Sequence, residues 1–228
     1  MSGFFTVRRP LLGIVLMFLA GCQSAQQTED RLVAAFGEAM FGGGVGPQDV
    51  SGSTGKLVKW QNRVQVSIIE WPTDANVART KALLAEFGEL TGLDLITLAP
   101  ADRSARLRIY FERKRDFIIN TNELAACYTR VRTDESGVIL EAEIHVGENK
   151  DGEWRLDCMA HEMLHAFGWS GHTHRISSAI SYMHGKTELT QWDRVLMRAL
   201  YDPRLVPGAS KDDGLPVARN IIDELMRQ

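Results

Sequence analysis

The sequence predicts an α+β domain, and three observations carry that prediction. Val64, Val66 and Ile68 alternate with Gln65 and Ser67, the period of a half-buried strand. Asn76 to Thr91 places Val77, Leu83, Leu84, Phe87 and Leu90 along one side of a helix that Gly92 stops. A short helix over 158–167 then follows two strands joined by a tight turn, and two more helices close the chain. The order fits a small mixed sheet packed with helices and a C-terminal helical subdomain.

The N-terminus reads as an address. Arg8 and Arg9 precede an apolar run from Leu11 to Ala20. As a helix that run would span only ~15 Å, against ~30 Å of bilayer hydrocarbon, so a secretory signal over residues 1–21 is expected. Leu19-Ala20-Gly21-Cys22 resembles the bacterial lipobox. That resemblance implies cleavage before Cys22, diacylation of its thiol and, with Gln23 next, an outer-membrane anchor facing the periplasm. Removing residues 1–21 takes two cations and no acids, shifting the formal charge from −3 to near −5. No basic face for nucleic acid is expected. Of three cysteines, Cys22 is used by the lipid. In an oxidising compartment Cys127 and Cys158 are expected to pair, the alternative being Cys158 as a metal ligand one turn before His161.

Residues 22–55 read as a tether. They hold a short amphipathic helix from Glu29 to Phe41, then Gly42-Gly43-Gly44-Val45-Gly46-Pro47 and Ser51-Gly52-Ser53-Thr54-Gly55. The folded domain is expected over 56–228. After the first strand and helix come strands over Leu93–Leu98, Ala105–Phe111, Cys127–Thr133 and Gly137–Val146, the last two joined by a hairpin turn at Asp134-Glu135-Ser136-Gly137. In the last strand Val138, Leu140, Ala142, Ile144 and Val146 share one face. Glu141, Glu143 and His145 share the other, which suits a strand near the sheet edge. Thr190 and Asp193 could form a capping box for one C-terminal helix, and Pro216 marks the start of the other.

The helix over 158–167 carries the chemistry. Asp157 suits its N-cap and Gly168 its stop, while Ala160, Met163, Leu164 and Phe167 form a buried stripe. His161 and His165 are four apart and lie one above the other, as two imidazoles must to reach one ion at ~2.0–2.1 Å. Glu162 sits beside them as a base for an attacking water, not as a ligand. Five of the six histidines fall between positions 161 and 184, which surface scatter would not produce.

The run from His161 through Gly168 to His172 and His174 resembles the metzincin signature H-E-x-x-H-x-x-G-x-x-H. The resemblance implies a zincin-like fold, a zinc ion, and a third histidine swung back to the metal by the glycine. Family spacing would put that histidine at 171, which is Gly171; His172 is one residue late and is favoured over His174. Ser181-Tyr182-Met183-His184-Gly185 resembles the metzincin Met-turn, which implies Met183 as an apolar floor under the metal. The family's tyrosine two residues later is here Gly185, so that role does not transfer. The tail from Leu189 to Gly208 looks like an uncharacterised group of exported bacterial proteins, many without an intact H-E-x-x-H. The combined match covers residues 56–208.

These residues together point to a membrane-anchored zinc metalloendopeptidase acting on a peptide or protein. The alternatives are a non-catalytic envelope binding module of zincin shape and a hydrolase of peptidoglycan cross-links.

Overall fold

A computed structural model of the chain describes residues 12–42, 55–70, 73–118 and 124–228, with side chains from Gln26 onward. The signal segment before residue 12, the glycine-rich stretch 43–54 and the Cys22 thiol lie outside the described residues. The fold is α+β, with a five-stranded mixed sheet and five α-helices among the described residues.

The strands are β1 (Arg63–Ile69), β2 (Asp94–Thr97), β3 (Leu107–Phe111), β6 (Cys127–Thr133) and β7 (Ile139–Val146), in the order β2-β1-β3-β7-β6. Every neighbouring pair is parallel except β6 with β7. A small antiparallel pair, β4 (Phe117–Ile118) with β5 (Leu124–Ala125), stands apart from the main sheet. The helices are α1 (Leu12–Phe41), α2 (Asp74–Thr91), α3 (Met159–Ala166), α4 (Gln191–Tyr201) and α5 (Lys211–Met226).

Local chemistry sets most boundaries. Thr73 caps α2 by accepting from Asn76 N, and Gly92 ends it at φ 68°. The β6–β7 turn closes on Asp134, whose carboxylate accepts from Ser136 N and Val138 N at 2.9 Å. Gly137 in that turn has φ 81°, and an added Cβ there would meet Gly208 N and Leu57 O. The end of the Leu189–Gly208 tail therefore packs backbone to backbone on the hairpin, with Gly208 N donating to Leu57 O at 2.7 Å.

Three expectations are corrected. The strand placed near the sheet edge, β7, lies inside between β3 and β6, and β6 is the edge. Its polar face is covered by cross-strand pairs. Arg108 bonds Glu143 at 2.9 Å, Arg132 bonds Glu141 at 2.7 Å, and His145 stacks between Tyr110 and Tyr128. The fold also begins before Lys56: Leu32, Phe36, Ala39 and Met40 of α1 are fully buried in the core, and α1 packs on α5 and α4. That part of the expected tether is a core helix because its apolar stripe meets two other helices. Finally, α5 starts at Lys211, capped by Ser210 accepting from Asp213 N, so Pro216 falls inside it.

Candidate metal centre

Under β6 and β7 runs α3, with all eight of its residues buried. A 3-10 turn at Leu156–Cys158 leads into it. Asp157 does not cap α3: its carboxylate is held by Arg155 through two 2.9 Å bonds. At the other end Trp60 Nε1 donates to Ala166 O at 2.8 Å and Tyr201 OH to Phe167 O at 3.1 Å, satisfying carbonyls the helix leaves open. Gly168 then takes φ 108°, where an added Cβ would strike Val58 O. Only glycine fits this bend, and the bend returns the chain so that His172 faces the helix.

The outcome is a cluster of three buried rings. Nε2 of His165 lies 3.2 Å from Nε2 of both His161 and His172, and the last two are 3.1 Å apart. His161 Nδ1 is 2.9 Å from Ala179 O, and His165 Nδ1 is 2.6 Å from Trp169 O. A carbonyl only accepts, so both Nδ1 atoms carry the proton and both Nε2 atoms are unprotonated. Burial, with neighbouring His165 adding, pushes His161 down to about 3; the same two causes, with His161 and His174 adding, push His172 to about 2. The rings of His161 and His172 are therefore neutral at any ordinary pH.

Unprotonated nitrogens cannot hydrogen-bond to each other. The Nε2 atoms of His161 and His165, 3.2 Å apart, therefore repel unless a cation or a donated proton shares their lone pairs. A near-equilateral triangle of this size has corners about 1.8 Å from its centre, so a point ~2.0–2.1 Å from all three nitrogens lies just off its plane. The donor set, borderline imidazole nitrogen with Nδ1 of His161 and His165 tied to backbone carbonyls, fits a zinc ion.

Beside the cluster a cleft of about 510 Å³ is lined by His161, Glu162, Ala126, Ser181, Tyr182 and the Cys127–Cys158 pair, among others. Glu162 is buried, and Thr129 on β6 places its hydroxyl 2.8 Å from Glu162 Oε2 and 3.0 Å from Glu162 O. Tyr182 is 56 % exposed, with its ring 4.7 Å from the rings of both His161 and His172. The disulfide Cys127–Cys158 joins the start of the edge strand to the residue just before α3. It removes Cys158 from the possible ligands.

Thus the structure brings together His161, Glu162, His165 and His172, as the sequence predicts. His174, the alternative ligand, is outside the cluster and bonds Ser181 Oγ through Nδ1 at 2.6 Å. Met183 is 76 % exposed and forms no floor; within residues 181–185 Ser181 alone is buried, and the buried run lies just before it at 178–180. Sequence reasoning left Tyr182 open between a place near the site and simple packing, and it missed the contacts of Thr129 and the second set of contacts of Asp193. Asp193 does form the expected capping box with Thr190. It also accepts from Ala179 N at 3.0 Å and from Ser178 Oγ, fixing the segment whose carbonyl orients His161.

The fold and site define an α+β domain whose buried triple-histidine cluster opens on a cleft. The chain belongs to the family described as a protein of unknown function, DUF2927, whose model matches residues 30–220. That match begins at the buried part of α1. A search of the curated proteins gives no match.

Proposed function

We propose that the protein is a zinc-dependent peptidase of zincin, metzincin-like type, held at the periplasmic side of the outer membrane through an acylated Cys22. The observation that carries this reading is the convergence of three Nε2 atoms within 3.1–3.2 Å, beside a buried glutamate that opens on a cleft. The mixed sheet with its antiparallel edge strand β6 against the H-E-x-x-H helix supports the zincin likeness.

His161, His165 and His172 would hold the metal. Zinc bound there supplies Lewis acidity, lowering the pKa of water toward neutrality and polarising the scissile carbonyl. Glu162 accepts the proton of the attacking water and returns it to the leaving amine. Thr129 fixes the carboxylate for that transfer by holding Oε2. Tyr182, against two of the ligand rings and partly exposed, lies where its phenol can meet the substrate. Residues Leu124 to Cys127 line the cleft and lead into β6, whose outer edge pairs with no strand among the described residues. An extended peptide added along that edge would run past Glu162, held by main-chain hydrogen bonds.

Purification without chelator should yield about one zinc per chain, in line with one three-ligand site. A generic unstructured peptide should be cleaved, and chelation should stop the cleavage. Glu162→Gln should keep the zinc and lose the cleavage. Zinc with no hydrolysis by the wild type would instead assign the chain to the envelope binding modules, and a protein that takes up no zinc would end the proposal.

A further inference from the structure

We propose that α1 is part of the metal centre, with Glu38 as a positioning residue for His172; this rests on the metal-binding reading above. His172 is the one ligand outside α3, so its place depends on whatever holds its loop. Three of the bonds that hold it go to α1. Gly171 N donates to Ala39 O at 2.8 Å, Thr173 Oγ1 donates to Glu38 Oε2 at 2.7 Å, and Arg175 Nε donates to Glu38 Oε1 at 2.6 Å. His172 sits between the first two anchors. Thr173 is fully buried and the Glu38 carboxylate partly so, which shields their bond in part and makes it worth more than a fully exposed contact.

Gly171 shows how closely α1 lies on the loop. An added Cβ there would stand 2.7 Å from Glu38 O and 3.2 Å from Gly42 Cα. This is also the residue that places the third histidine one position later than the metzincin spacing. The extra residue is the one onto which α1 packs. The longer loop thus has its own clamp, supplied from more than 130 residues away in sequence. By linkage, whatever α1 contributes to zinc affinity, zinc contributes equally to the docking of α1.

Zinc affinity, by chelator competition on the full chain, tests this. Glu38→Gln and Thr173→Val should each raise the zinc Kd by about tenfold or more, as loss of a group supporting a ligand does. Asp30→Asn is the control: Asp30 lies on the same helix but binds Arg219 at 2.7 Å, away from the loop, and its Kd should match the wild type. In the wild type, zinc should slow amide exchange over 30–41 and at Gly171, a readout that needs no variant to fold. Unchanged Kd in both Glu38→Gln and Thr173→Val, or exchange over α1 indifferent to zinc, would overturn the role of α1 while leaving the metal site standing. A wild type without zinc affinity would overturn both.

Discussion

Asp193, on the first turn of α4, sets the orientation of His161 on α3 through one intervening peptide: it holds Ala179 N, and Ala179 O holds His161 Nδ1. One buried carboxylate accepts from Ala179 N, Ser178 Oγ, Thr190 N and Thr190 Oγ1. A helix cap and a ligand support are therefore the same side chain. Asp193→Ala should cost on the order of 3 kcal/mol, since it leaves several buried donors unsatisfied. It should also weaken zinc binding by ~10-fold or more. Ser178→Ala removes one of the four contacts and should give a smaller loss of both. Urea unfolding beside chelator competition checks the pair, and an Asp193→Ala protein with native zinc affinity would remove the support role.

In the proposed zinc site the ring positions favour His172 over His174 as the third ligand. His172→Ala should abolish tight zinc binding, because two imidazoles alone leave the ion to solvent. His174→Ala should keep it, since His174 is bonded to Ser181 and outside the cluster. The reverse result would mean that the loop rearranges when metal binds.

Thr129 reaches Glu162 from the edge strand, so under the proposed function it would couple the peptide-binding edge to the base. Thr129→Val keeps the shape and removes the hydroxyl that holds Oε2. Its expected effect is a fall of about tenfold in kcat with zinc content unchanged, because orientation of the base matters in the transition state and not in metal binding. Stability should drop by about 1 kcal/mol. A change confined to KM would place Thr129 in substrate binding instead.

How much of this was legible in the sequence follows from the range of each interaction. The H-E-x-x-H helix, the capping box of α4 and the Asp134 turn are set by residues within four positions of each other, and periodicity and caps reveal them. His172 was legible because Gly168 marks the bend that returns it. Glu38 and Thr129 were not: each acts on a residue far away in the chain, and only the fold supplies the partner. The Met-turn resemblance placed Met183 under the site, but the buried part of that segment ends at Ser181, and the ring against the histidines is Tyr182. The alternation in β7 separated its two faces from Glu141 to Val146, but at the start of the strand Ile139 and not Leu140 enters the core, because the register with β6 shifts there. It could not reveal that Arg108, Arg132 and two tyrosines cover the polar one.

The Cys127–Cys158 bond closes a loop of 31 residues between the edge strand and α3. By loop entropy it should contribute about 3–4 kcal/mol. Reduction should lower the melting temperature and loosen the cleft wall, raising KM for a peptide more than it lowers zinc content. Calorimetry with and without reductant checks the first expectation, and kinetics on the reduced protein the second. A melting temperature indifferent to reductant would show that packing alone joins β6 to α3.

The far end of α4 is held by a buried lysine, and its titration gives a pH test of the fold independent of the metal. Lys59 Nζ donates to Leu200 O at 3.1 Å and Asp202 O at 3.2 Å, covering carbonyls at the negative end of the helix dipole. Burial pushes its pKa from 10.5 down to about 8, partly offset by the Asp202 carboxylate. Between those two values the unfolded chain holds a proton that the folded chain has released. Stability must therefore rise with pH across about 8 to 10.5, and the full cost of burying the ammonium is present below about 8. Lys59→Met removes this titration along with the two carbonyl bonds. Denaturant unfolding of both proteins across the window should show the wild type gaining roughly 1–2 kcal/mol relative to the variant, less than the unscreened shift implies. A wild type that instead loses ground to the variant as pH rises would mean that the ammonium is stabilised where it lies, with the helix-end carbonyls outweighing its loss of water.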